Sequence, residues 1–272
     1  MDRVNTDATQ LRGVASTTLW TLYNRASEAA RPDGVLRDPV AIDLLGAIDY
    51  PFQAVLGEPD QSHPLRAVAF DRAVMDYVRD HPDGTVVALG EGLETGFWRT
   101  DNGRIRWLSL DFPEVVRLRR KLLPECDRIR HLAGSALDLS WMDEVDASAP
   151  VFVNAQGLLP YLQPEDAIGL IRGCAAQFRG GRMIFDLVPP WHSKRSKSGT
   201  ARGRSFTVPP VPFGMTARDA LRLADDVYGV ESAVVLRPPA GRGWRRRAVA
   251  TVGALPVVRN HRFAICLLRF AP

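Results

Sequence analysis

Cysteine is scarce in this 272-residue chain: Cys126, Cys174 and Cys266 are far apart, odd in number, and form no C-x-x-C pair. Neither a disulfide framework nor a zinc knuckle is therefore expected, and no metal site. The chain also lacks any run approaching the ~20 apolar residues that a bilayer crossing needs. Its first residues, Met-Asp-Arg-Val-Asn-Thr-Asp, carry no apolar signal segment. A reducing, cytoplasmic setting away from membranes is the expectation. Internal repeats and linkers are absent as well, and the 46% of hydrophobic residues are evenly spread. That predicts one large globular domain, or one domain with a cap.

A strong net charge is missing too, the formal value being +4, but the basic residues are uneven. Between Pro189 and Ser205 stand Lys194, Arg195, Lys197, Arg202 and Arg204 with no acid, and Arg242, Arg245, Arg246 and Arg247 cluster around Trp244. Two solvated loops are the plain reading, and contact with phosphates or an anionic substrate is the functional one. No N/D-P-P-Y motif is present, and a nucleic-acid partner is not expected.

What is there begins with Thr85-Val86-Val87-Ala88-Leu89-Gly90-Glu91-Gly92, an apolar strand that empties into a glycine turn, with Asp111 19 residues after Gly92. A β-branched run, G-x-G and a carboxylate about 20 residues on is how an open α/β sheet holds a nucleotide-type cofactor. Before it, helices are predicted over Ala15 to Ala30, after Asp38-Pro39, and over Leu65 to Asp80. After it come strands at Arg104 to Leu110, Ile129 to Leu132, Pro150 to Ala155 and Arg182 to Val188. Helices between them open at Pro113 and Pro164. Thr216 with Asp219 resembles a capping box. Val230 to Leu236 and Phe263 to Phe270 then form a late strand pair at the sheet edge. The expected fold is a doubly wound α/β sheet, Rossmann-like, with helices on both faces and a late antiparallel strand.

The turn discriminates between cofactors. A dinucleotide pyrophosphate wants a third glycine three residues after the second, yet Gly96 falls one position late and Glu91 sits in the turn. A carboxylate there repels a pyrophosphate, whereas S-adenosylmethionine (SAM) carries a cationic sulfonium and an ammonium. Asp111 suits the ribose hydroxyls, or the N-cap of the helix opened by Pro113, and the two roles are compatible. Asp138, with Leu139 beside it, lies where an adenine would be held, or it simply caps the chain before Trp141.

These residues resemble the leucine carboxyl methyltransferase family, especially its bacterial branch of polyketide-type and actinobacterial O-methyltransferases. The likeness runs through Gly13-Val14-Ala15 with Thr17 and Leu19, Arg25-Ala26 with Glu28, Arg31-Pro32-Asp33, Asp38-Pro39 and Arg66 with Phe70-Asp71. It continues through Leu89-Gly90 with Gly92-Leu93, Asp111 with Pro113-Glu114-Val115, Leu137-Asp138 with Trp141, and Gly157-Leu158 with Tyr161-Leu162. The resemblance implies a class I SAM-dependent O-methyltransferase, with residues 1–80 as a helical cap segment and 81–272 as the SAM-binding core, a basic lid inserted near 189–215. It assigns Arg66 to the methionine carboxylate, Gly90, Glu91 and Gly92 to the turn under the methionine portion, Asp111 to the ribose, and Asp138 with Leu139 to the adenine.

Two positions depart from the family. Glu94-Thr95-Gly96 replaces the usual Asp-Thr-Arg, which removes an arginine near the turn, and Gln156 stands where a glutamate normally meets the SAM ammonium. Losing that charge is expected to cost ~1–2 kcal/mol of affinity. Methyl transfer demands little acid-base chemistry, so the absence of a strong base motif favours a carboxylate acceptor over a hydroxyl. Tyr161 and His192, each just past a strand, are the candidates for proton transfer. The expected acceptor is a small molecule, polyketide or peptide, and an anionic one suits the basic lid. The competing expectation, motivated by Gln156 and Gly96, is a non-catalytic SAM-fold binding or scaffold protein.

Overall fold

The structure, a computed structural model, describes residues 6–7, 11–202, 205–243, 258 and 260–272. Arg204 and the cluster of Trp244 with Arg245, Arg246 and Arg247 lie outside the described residues. The centre is a seven-stranded sheet: β1 Thr85–Leu89, β2 Arg106–Asp111, β3 Ile129–Ala133, β4 Val151–Ala155, β5 Arg182–Leu187, β6 Val230–Leu236 and β7 Ala264–Phe270. Its spatial order is 3-2-1-4-5-7-6; β1 to β5 are parallel, and β7 runs antiparallel between β5 and β6. The chain reverses its strand order between β1 and β4, the point where open α/β sheets bind ligands at the carboxyl ends of their strands.

The helices are α1 Thr17–Ala29, α2 Pro39–Gly46, α3 Phe52–Leu56, α4 Ser62–Asp80, α5 Gly96–Thr100, α6 Pro113–Leu122, α7 Pro164–Gln177, α8 Pro190–Arg195 and α9 Ala217–Asp226. The starts follow local chemistry. Asp38 N-caps α2 by accepting from the Ala41 N–H at 3.0 Å, and Pro39 takes the first helical position. Glu165 and Asp166 sit in the first turn of α7, at the positive end of its dipole. Thr216 and Asp219 form the expected capping box on α9. Three helices of five or six residues, α3, α5 and α8, fall below what apolar periodicity can reveal.

Both faces of the sheet are covered, which is why its central strands read as unbroken apolar runs rather than alternating ones. Val87, Val153, Met183 and Phe185 pack against Leu170, Ile171 and Cys174 of α7 and Leu223 of α9. On the other face Val86, Phe152, Ile184 and Ile265 meet Phe70, Val74 and Tyr77 of α4. A third cluster joins Leu19 and Leu22 of α1 and Leu44 of α2 to Leu93, beside the glycine turn, and to Val115 of α6. The N-terminal helices are thus seated on the cofactor edge of the sheet by shared apolar burial, each fully buried leucine contributing roughly 1.5–3 kcal/mol.

The basic stretch after β5 is more ordered than a solvated loop. It forms α8 and a short antiparallel pair, Thr200–Arg202 with Phe206–Val208. Arg202 pairs with Asp60 at 2.8 Å and lies over the Trp20 ring at 4.5 Å, which ties this stretch to the N-terminal helices. Arg242, for which the sequence left a solvated loop or an anion contact open, is bound by Glu28 at 2.5 Å and by Asp33. No helix among the described residues is long and apolar enough to cross a membrane.

Candidate active site

Gly90 and Gly92 both take φ of +59°, the left-handed region that a β-carbon disfavours. Gly90 donates to the Leu110 carbonyl at 2.8 Å, and Gly92 donates to Asp111 Oδ2 at 2.6 Å, so the turn is stitched to the end of β2. A β-carbon on Gly92 would also stand 2.5 Å from Thr18 Oγ1 of α1. Gly92→Ala is therefore expected to destabilise by at least ~2 kcal/mol, combining backbone strain with displacement of α1. Gly103, at φ +83° with nothing near its missing β-carbon, is the control. In urea denaturation Gly103→Ala should lose only the backbone part, and equal losses for the two would refute the contact with Thr18.

Two buried arginines clamp the carbonyl side of the same turn. Arg119 of α6 donates to the Gly92 and Glu94 carbonyls at 2.7 and 2.9 Å, and Arg25 of α1 donates to the Leu93 carbonyl at 2.7 Å. Both are 0% exposed. Neither was singled out as a site residue from the sequence, although each falls on its helix's apolar stripe, Arg25 three residues after Leu22 and Arg119 four after Val115. A charge on such a stripe is the signal, since it must find partners when buried.

Glu91 requires a correction. It borders the cleft that opens between the glycine turn, α1, the end of β2 and the turn after β4, but its carboxylate is committed elsewhere: Oε1 accepts from Trp107 Nε1 at 3.0 Å and Oε2 pairs with Arg119 at 2.8 Å. The acid at the cleft that carries a depressed pKa is Glu94. Burial alone would raise it, but Arg25 and Arg99 at 2.8 Å overcome burial and bring it down to about 2. Arg99 of α5 also corrects the expected loss of an arginine near the turn. Four residues on from Thr95, one helical turn, it reaches Thr95 Oγ1, Asp38, Glu94 and both oxygens of Asp71. Asp38, Asp71, Glu94, Arg25, Arg99 and Thr95 thereby form one buried polar network joining α1, α2, α4, α5 and the turn.

Asp111 lies at the end of β2, 8% exposed and facing the same cleft. It does not cap α6, whose N-cap is Phe112; its two oxygens accept from the Gly92 and Phe112 N–H groups instead. Burial raises its pKa, and the two N–H groups oppose that. Arg66 of α4 also lines the cleft, with Nη1 3.7 Å from Asp186 and a buried Nε that has no hydrogen-bond partner. Its guanidinium lies so close over Gly157 (φ +73°) that a β-carbon there would be 3.1 Å from Nη1. Asp186, at the end of β5, accepts from the Gly157 N–H and so holds the turn after β4, a role the sequence did not reveal. Gln156 donates from Nε2 to Glu94 Oε2 at 2.8 Å. Asp138 and Leu139 are not brought to this cleft: Asp138 caps a 3-10 turn through the Ser140 N–H in a separate recess, and Leu139 lies against Gly173 of α7.

A second, mainly apolar cavity of about 420 Å³ adjoins the cleft, and His63, Arg66, Gly157 and Tyr161 border both. Tyr161 and His192, the expected proton-transfer candidates, both reach it. Burial raises the Tyr161 phenol, so it stays protonated at neutral pH. Burial and then Arg195 lower His192, which stays neutral with an unpartnered Nδ1. His63 was missed. The Asp60 N–H fixes the Asn24 amide by donating to its Oδ1 at 3.2 Å, so Asn24 Nδ2 donates to His63 Nδ1 at 2.8 Å and the ring proton is left on Nε2. Burial and Arg66 hold this histidine well below its usual pKa.

The donor set fits SAM: positive-φ glycines bare at the strand end, a carboxylate within reach of a ribose, a guanidinium with spare donors, and an acid with surplus charge. Among the described residues no cluster of His, Cys, Asp or Glu suits a metal. Residues 18–175 match the profile of the leucine carboxyl methyltransferase family. The chain is 34% identical over 206 residues to the tetracenomycin polyketide synthesis O-methyltransferase TcmP of Streptomyces glaucescens, covering 72% of this chain and 75% of TcmP. It is 29% identical over 199 residues to the SAM-dependent methyltransferase dpfgK of Gibberella zeae, covering 65% and 66%. The solved structure of a Thermobifida fusca protein described as a methyltransferase superposes with a TM-score of 0.57 at 14% identity, covering 97% of both chains, a likeness of fold. With this sheet, this cleft and these likenesses together, the chain belongs to the leucine carboxyl methyltransferase family and is a SAM-dependent methyltransferase.

Proposed function

We propose that the chain transfers the methyl group of SAM to an oxygen, a carboxylate first and a hydroxyl second, of an apolar, flat small molecule of polyketide type. The observation that carries this reading is the 420 Å³ cavity meeting the cofactor cleft at His63, Arg66, Gly157 and Tyr161. Its volume is that of a small-molecule pocket, and its walls are mainly apolar with few polar groups. Trp20 and Phe263 supply aromatic faces, and the name of TcmP supports a polyketide-type acceptor. Within this reading Gly90, Gly92, Asp111, Arg66, Glu94 and Gln156 hold SAM, and Tyr161 and His63 offer hydrogens to the acceptor.

In the transfer, the acceptor oxygen approaches the methyl carbon to about 3 Å, opposite the sulfur. The new O–C bond forms as the C–S bond breaks, the electron pair leaves on sulfur, and S-adenosylhomocysteine (SAH) remains. A carboxylate is already ionised at pH 7 and needs no base. A hydroxyl also releases a proton, and His192 Nδ1 on the wall is the group to take it. Arg202 and Arg66 are balanced by Asp60 and Asp186, so any preference for an anion rests on Lys194, Arg195 and Lys197 of the lid.

The test is incubation with SAM and a panel of polycyclic aromatic acids, phenols and peptides, read by mass spectrometry with SAH release in parallel. Aromatic acids are expected to gain a methyl group that mild alkali removes, the mark of an ester rather than an ether. Methylation of peptide carboxylates with none of the aromatic compounds turned over would overturn the acceptor class.

A further inference from the structure

We propose that Glu94 and Gln156 together seat the ammonium of the methyl donor, Glu94 supplying the charge and Gln156 a carbonyl acceptor; this rests on the methyl-donor reading of the cleft. Both residues line that cleft, one from the end of the glycine turn and one from the end of β4. They are joined: Gln156 Nε2 donates to Glu94 Oε2 at 2.8 Å. That bond orients the amide, leaving Gln156 Oε1 as its remaining acceptor.

The two oxygens of Glu94 are unequal. Oε1 is saturated, with Arg25 Nη1 and Arg99 Nη2 each at 2.8 Å and the Thr95 N–H at 3.1 Å. Oε2 takes only the Gln156 amide among the described residues, so it keeps acceptor capacity. The network also carries a surplus of one negative charge, because the three acids Asp38, Asp71 and Glu94 face the two cations Arg25 and Arg99. Glu94 is the member of that network that borders the cleft. An ammonium offers three N–H donors and one positive charge, and Oε2 with Gln156 Oε1 complements both.

This relocates a charge rather than losing it. Were the amide at 156 a carboxylate, it would lie against Glu94 Oε2 with no hydrogen between them, and two like charges at that distance repel. Glutamine at 156 therefore sets no second charge against Glu94, which Arg25 and Arg99 hold ionised at the cleft.

Calorimetry on the full chain tests this with two probes, SAH, which carries the ammonium, and 5′-methylthioadenosine, which has the same nucleoside and thioether without the amino-acid portion. Glu94→Gln is expected to weaken SAH about tenfold or more while leaving methylthioadenosine within threefold. Gln156→Glu is expected to leave SAH binding no tighter than in the parent chain. Tenfold tighter SAH binding by Gln156→Glu, or unchanged SAH binding by Glu94→Gln, would overturn the assignment. Should Glu94→Gln lose its thermal transition, the direction of the Gln156→Glu change decides. A parent chain that binds neither probe would instead sink the methyl-donor reading and the clamp with it.

Discussion

Replacing Arg25 by methionine is expected to lower the unfolding free energy by ~3–5 kcal/mol, a large share of the 5–15 kcal/mol that holds a typical domain. The side chain is wholly buried and answers Asp38 at 3.2 Å, Glu94 at 2.8 Å and the Leu93 carbonyl at 2.7 Å. Methionine fills a similar volume, so the loss comes from leaving those oxygens without their cation. The effect also has a pH signature. Glu94 has a folded pKa depressed to about 2, so its contribution is present above the unfolded carboxylate value near ~4.3 and is lost as pH falls toward 2. Arg25→Met should flatten that acid-side loss. Urea denaturation at pH 7 and pH 3 reads both changes, and a variant unfolding at the parent urea concentration would show that the network carries no stability.

Asp111→Asn is expected to weaken SAH binding about 100-fold or more. Each Asp111 oxygen already accepts one N–H, from Gly92 at 2.6 Å or Phe112 at 2.7 Å, and keeps a second lone pair toward the cleft. Under the proposed reading those two sites take the ribose hydroxyls, and bonds to a charged acceptor contribute ~1.5–3 kcal/mol each. An asparagine turns one oxygen into a donor that faces a backbone N–H, so it removes a ribose acceptor and loosens the turn together. Calorimetric titration with SAH decides the point; a dissociation constant within threefold of the parent would remove Asp111 from the cofactor site.

The five parallel strands, the late antiparallel pair and the helices at Pro39, Pro113, Pro164 and Thr216 were legible because each is written locally. Apolar runs mark buried strands, a proline at the first helical position marks a start, and a Thr-x-x-Asp box marks another. Gly90 and Gly92 were legible for the same reason, since only glycine is at ease at φ +59°. Of the two roles the sequence left open for Asp138, the cap is the one formed, because a residue's place after a strand does not say which way the following turn carries it. The same gap left the roles of Glu91 and Glu94 unseparated. Both are acids in one turn, and the cations that separate their roles, Arg119 from α6 and Arg25 and Arg99 from α1 and α5, are brought there by packing.

By itself, then, the sequence determined the sheet, the glycine turn, the carboxylate at the end of β2 and the family. Those depend on short-range backbone conformation and on the order of apolar segments, both of which are properties of neighbouring residues. Only the tertiary structure decided which acid keeps an acceptor oxygen open at the cleft, which arginine stands beside the turn, and that His63 borders the second cavity. Those depend on electrostatic pairing in a buried, weakly screened interior, where partners stand far apart along the chain, 61 positions for Asp38 with Arg99 and 69 for Arg25 with Glu94.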